Sequence, residues 1–219
     1  MKHCIYCGAA VRSSGLLSSL FAREGLRYSD GRIICRPCHH TAVKNEAQLQ
    51  VVLQHVKRCF EALGLIVQWH RLPIRLQHQP QMRQLAGSDQ TVGVAQYTIY
   101  GRHVESKVTM LYGMPAALAV ETLAHEAAHV WCREQGVDFA SDTDNEEGFC
   151  NVIGCLALQR LGQQYDAPMR VADMFRNPDP VYGEKFRQQW ATMRKVGWQT
   201  YRIRISIKNK ISRGLCAIA

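Results

Sequence analysis

His125-Glu126-Ala127-Ala128-His129 is the sharpest chemical pattern in the chain. At helical spacing, residues i and i+4 lie on one face, so both imidazoles reach a single metal ion. Glu126 projects beside that ion rather than at it, where a carboxylate takes a proton from water. The flanking residues Leu118, Val120, Leu123, Ala124, Val130 and Trp131 are apolar. Two histidines and a glutamate on so buried a helix are costly without a compensating partner, and zinc supplies one.

A catalytic zinc takes three protein ligands and keeps one position open. The next helix begins with Asn145-Glu146-Glu147-Gly148-Phe149, after a loop long enough to turn back antiparallel. Glu147-Gly148-Phe149 resembles the Asn-Glu-Gly-Phe segment of glutamate-zincin aminopeptidases, in which the Glu before the Gly binds zinc. On that resemblance Glu147 is preferred as third ligand. Glu146 is left to support the site or to bind the substrate's amine. Asp142 and Asp144 are weaker candidates and read as a solvated helix start. Tyr182 and Tyr165 are candidates to stabilise an oxyanion; either also reads as a packing residue.

A second pattern lies at the N-terminus. Cys4-x-x-Cys7 and Cys35-x-x-Cys38 each make a knuckle with two thiolates, and four thiolates make a closed structural zinc site. The intervening chain has room for a hairpin across residues 26–34. The other five of the nine cysteines are isolated and read as buried thiols.

The elements that must position these groups are legible from periodicity. Leu49, Leu53, Val56, Phe60 and Leu63 predict a helix over 45–63, with Gly64 as its stop. Residues 65–76 read as a strand interrupted by Pro73, and 77–87 as a polar connection or short helix. Residues 92–100 and 104–111 read as an antiparallel hairpin turning at Gly101-Arg102. A long helix spans 115–135, with Pro115 at its start and Gly136 after its end. Asp138 falls in the acidic loop that follows. Helices are expected over 146–161, 168–176 and 181–196. In 201–211, Ile203, Ile205 and Ile207 alternate with polar and basic residues, which is strand periodicity with a basic outer face, and a helix stays open there.

The 219 residues accommodate one domain and a small module. This divides the chain into a Cys4 zinc-ribbon or LIM-like module over 1–44 and a metallopeptidase domain over 45–219. Hydrophobic residues at 47% and charged residues at 21% exclude wholesale disorder. No apolar run approaches the ~18–20 residues of a membrane span. With no signal core at the N-terminus, a reducing cytoplasmic location is expected. The net charge is +9, and seven of the basic residues lie between 194 and 213. A solvated face accounts for that segment, and nucleic acid is not the expected partner.

The run Leu111-Tyr112-Gly113-Met114-Pro115, then Leu123-Ala124-His125-Glu126, His129, Trp131, Arg133, Gly136 and Glu146-Glu147-Gly148, resembles the peptidase domain of the plant LIM-domain, ubiquitin-activated peptidases that limit organ growth. Asp30-Gly31-Arg32 with Cys35-x-x-Cys38 resembles the end of that family's LIM-like module. Tyr182-Gly183 with Phe186-Arg187 resembles its segment after the metal helices. The resemblance implies an α+β, gluzincin-like zinc endopeptidase acting on proteins. His125, His129 and Glu147 carry over as ligands, Glu126 as base, and Tyr182 gains weight over Tyr165. It also implies a ubiquitin link. The chain departs in holding one Cys4 cluster in place of a full LIM domain and in lacking a legible ubiquitin-interacting helix, as a compact, microbial relative would. The expectation is therefore two Zn²⁺ ions, one catalytic and one structural, in a peptidase. The competing reading is an adaptor that binds protein or nucleic acid through the Cys4 module and the basic C-terminal segment.

Overall fold

The computed structural model describes residues 2–12, 23–100, 103–137, 139 and 142–215. The expected turn at Gly101-Arg102, together with Asp138 and Cys216, lies outside them. Four short strands, β1 (Lys2–His3), β2 (Ala10–Arg12), β3 (Arg23–Arg27) and β4 (Ile33–Cys35), form a small sheet in that order. Leu26 faces Ile34 across the antiparallel β3–β4 pair, within the expected hairpin. Cys4, Val11, Ile34 and Cys35 make a separate small core. One turn of helix, α1 (Arg36–His40), carries the second knuckle into β5 (Ala42–Val43).

Helix α2 (Glu46–Leu63) opens on Asn45, whose side chain accepts from the Gln48 amide, and closes at Gly64 with φ 66°. Its apolar stripe, including Val52, Val56 and Phe60, belongs to the main core. The expected strand over 65–76 is shorter: a 3₁₀ turn at Trp69–Arg71 precedes β6 (Ile74–Gln77). Leu65 and Val67 before this turn and Leu72 after it are buried, a spacing that no single strand face satisfies. Pro80 fits the first turn of α3 (Gln79–Ala86).

Strands β7 (Gly93–Tyr100) and β8 (His103–Leu111) pair antiparallel, and β6 joins β8 in parallel. The order β6-β8-β7 leaves β7 at an edge. Strand β9 (Met114–Pro115) pairs with β5 and leads directly into α4 (Ala116–Glu134). Helix α4 is buried almost all round, as an inner helix must be. Helix α5 (Thr143–Leu161) returns antiparallel against it. The approach is close because Gly154 has no side chain: a Cβ there would lie 3.2 Å from the Glu121 carbonyl oxygen.

Helix α6 (Ala167–Arg176) follows. The expected helix over 181–196 is two pieces, a π-helical turn at Pro180–Lys185 and α7 (Phe186–Val196). Of the strand and the helix open over 201–211, the helix forms, as α8 (Trp198–Leu215). Trp198, Tyr201 and Ile205, at helical spacing, meet the core, whereas Ile203 and Ile207 stay exposed. Tyr201 is buried against Phe149, and the Trp198 indole donates to the Leu63 carbonyl at 2.8 Å. Burial of the aromatics decides the element against the alternation of isoleucines. The fold thus mixes helices with small sheets, and among the described residues no helix is long and apolar enough to cross a membrane.

Candidate metal centre and cleft

Helices α4 and α5 bring His125, His129 and Glu147 together. The two Nε2 atoms are 3.2 Å apart. Glu147 Oε2 lies 3.1 Å from His125 Nε2, and its Oε1 lies 3.4 Å from His129 Nε2. The outward nitrogens are already engaged. His125 Nδ1 meets Asn151 Oδ1 at 3.0 Å, and His129 Nδ1 meets Glu146 Oε1 at 2.8 Å. Carboxylate and amide oxygens only accept, so both Nδ1 atoms donate, and this turns both Nε2 atoms toward the Glu147 carboxylate. Glu147 Oε2 is buried and accepts no hydrogen bond. Three electron-pair donors that converge this way can hold one cation.

The local charges fit this picture. Burial disfavours the Glu147 carboxylate, yet the two imidazoles beside it hold its pKa well below the ordinary range. Burial also opposes a charged His129, but Glu146 and Glu147 outweigh it and raise the ring to about 10. Burial likewise opposes an ionised Glu146, which His129 and Arg133 nevertheless hold below its usual range. Arg133 Nη2 lies 2.7 Å from both Glu146 oxygens. Glu146 therefore stands behind His129 rather than beside the two Nε2 atoms. Asp142 caps α5 through the Asn145 amide, and Asp144 lies exposed in its first turn.

A cleft of about 1020 Å³ opens over these groups. Glu126 and Tyr182 line it together with His125, His129 and Glu147. Tyr182 is half exposed; burial and the Glu147 and Glu126 carboxylates raise its pKa, so it stays a protonated donor. Its position comes from Asp179, whose carboxylate accepts from the Val181 and Tyr182 amides. Asn151 Nδ2 also donates to the Tyr182 carbonyl at 3.4 Å. Tyr165 is elsewhere, in a surface depression beside Arg36 and His40, so the structure takes it away from the cleft. The edge strand β7 forms one wall from Gly93 to Tyr97.

The four N-terminal cysteines also converge. Cys4, Cys7, Cys35 and Cys38 offer sulfur atoms all within 4.8 Å of one another. This set too can hold a metal ion, and four thiolates suit zinc.

The family described as DA1-like, Protein DA1, matches residues 41–174. The chain belongs to the DA1-like family. It is 26% identical to Protein DA1 of Arabidopsis thaliana, over 77% of this chain and 43% of that protein. The chain thus spans less than half the length of this DA1 relative. No solved structure matches it. The DA1-like match contains His125, Glu126, His129 and Glu147, whereas Tyr182 and the four cysteines lie outside it.

Asn151, Arg133 and Gly93 have places in the site that the residue pattern did not single out as functional. Asn151 follows Glu147 by four residues and Arg133 follows His129 by four, so helical spacing was a usable signal for both. Gly93 had none, because its neighbours come from another element.

Proposed function

We propose that this DA1-like chain is a zinc endopeptidase of the gluzincin type, acting on proteins or peptides. The observation that carries the reading is the convergence of the two Nε2 atoms and the Glu147 carboxylate in an open cleft, with Glu126 one residue along from His125. The residues suit zinc: nitrogen and oxygen donors, three in number, with an orphaned carboxylate oxygen among them. Zinc held by His125, His129 and Glu147 would polarise a peptide carbonyl and acidify water. Glu126 accepts the proton of the attacking water and passes it to the leaving amine. Tyr182 donates its hydroxyl to the oxyanion. Edge strand β7 pairs its free main-chain groups with an extended substrate.

In this reading residues 1–44 form a module whose four cysteines hold a second, structural zinc, and residues 45–219 form the catalytic domain. A sheet this small needs the metal to be stable. The family resemblance extends the proposal to a ubiquitin-linked control of activity.

Metal analysis tests the reading on four proteins. Wild type should hold two zinc ions, and Glu147→Ala and Cys35→Ala should each lose one. Glu126→Gln should keep both and lose cleavage of unfolded casein. A single zinc, lost only with Cys35→Ala, would leave an adaptor built on the N-terminal module.

A further inference from the structure

The cleft has a direction. Helix α4 and strand β7 run side by side in the same sense: Gly93 abuts Thr122 and Glu126, and Tyr97 lies over the Arg133 guanidinium at 5.0 Å. His125 sits between two charged groups on this helix. Arg133 lies two turns towards the C-terminus, about 12 Å along the axis, and Glu121 one turn towards the N-terminus, about 6 Å.

At the Glu121 end, α6 contributes Arg170. Its Nε and Nη2 donate to the two Glu121 oxygens, Nη2 at 3.1 Å. The Glu121 side chain is 11% exposed and that of Arg170 34%. A guanidinium has five N–H groups, and this fork uses two. Among the described residues Glu121 is the only hydrogen-bonding partner of Arg170, so Nη1 has no partner on a side chain that lines the cleft. A desolvated Arg–Glu pair is a poor stability device, since apolar residues of similar volume do as well. What it achieves is orientation: two bonds to one carboxylate fix the plane of the guanidinium at the cleft.

The charge at this end is already balanced. Glu121 neutralises Arg170, and Asp173 pairs with Arg176 at 2.8 Å just beyond. Leu118 and Met174 add apolar wall. Free N–H donors without net positive charge suit a neutral carbonyl oxygen better than a carboxylate. A peptide pairing antiparallel with β7 runs from the Tyr97 end to the Gly93 end, and its C-terminal part reaches Arg170.

We propose that Arg170, positioned by Glu121, binds a main-chain carbonyl of the substrate on the C-terminal side of the scissile bond. This rests on the peptidase reading above.

The test uses a library of proteome-derived peptides, the best-cleaved member of it, and versions of that member shortened at either end. Arg170→Met strands a buried carboxylate, so Glu121→Gln/Arg170→Met is measured beside it, with zinc content and melting temperature as controls. In wild type, shortening the C-terminal side should lower kcat/KM about tenfold or more. In the double variant that penalty should shrink to about twofold, while the penalty for shortening the N-terminal side persists. An undiminished C-terminal penalty in the double variant, or none in wild type, would overturn the assignment and leave the peptidase reading standing. A wild type with two zinc ions that cleaves no library member would remove both.

Discussion

Gly93 lies against Glu126 so closely that a Cβ at position 93 would stand 2.9 Å from the Glu126 Oε1 atom. The same Cβ would meet the Thr122 methyl at 2.3 Å. The edge strand and the carboxylate assigned as base therefore share one volume. Gly93→Ala should displace the strand or the carboxylate and lower kcat/KM by about a hundredfold, since small misplacements of a reacting group cost that much. Zinc content should stay at the wild-type value. A variant with wild-type turnover would show that Glu126 has room to move.

The two imidazoles are each held from behind, His125 by Asn151 and His129 by Glu146. Such partners fix the tautomer and raise ligand basicity. Asn151→Ala and Glu146→Gln should each weaken zinc binding at this site by about 10- to 100-fold, measured by competition with a chelator. Asn151→Ala should also disturb Tyr182, whose carbonyl it touches.

Metal uptake should be coupled to protons. His129 is raised to about 10 in the metal-free fold, above its ordinary 6.5. The protonated ring stabilises that fold fully below about pH 6.5, and the contribution is lost as pH rises through about 10. A ligand must be neutral, so zinc binding expels this proton and affinity should climb with pH between those values. With the cysteine site already filled, calorimetry in two buffers of different ionisation enthalpy should show about one proton released at pH 7.5, from His129.

Arg32 should act as a latch for the N-terminal module. It pairs with Asp30 at 2.8 Å, with side chains 4% and 3% exposed, and donates to the Tyr112 carbonyl at 2.8 Å. Arg32→Met strands a buried carboxylate and frees the Tyr112 carbonyl. The variant should lose about 3–5 kcal/mol of stability in denaturant melts. Proteolytic cuts should appear within residues 1–44 at protease concentrations that wild type resists.

Local rules explain which parts of this were legible beforehand. The 3.6-residue period places His125 and His129 on one face wherever the helix packs, and Gly64 ends α2 by its own backbone freedom. The hairpin of β7 and β8 follows from alternation and β-branched residues. Residues 201–211 stayed undecided, because alternating isoleucines fit a strand as well as a helix until burial chooses between them. Tyr165 and Tyr182 could not be ranked by residue type; only Asp179 and the π-helical turn bring one of them to the cleft.

By itself, the sequence determined the chemical groups and their local spacing: the His-Glu-x-x-His run, the two cysteine knuckles, the helix caps and the mixed helix-and-strand class. These depend on contacts within a few residues, which chain order encodes directly. Tertiary structure decided that Glu147 meets the two Nε2 atoms while Glu146 turns to Nδ1, that Gly93 touches Glu126, and that Arg170 pairs with Glu121. Each of those depends on the depth and angle at which two distant elements pack, and that is set by the shape of the whole core.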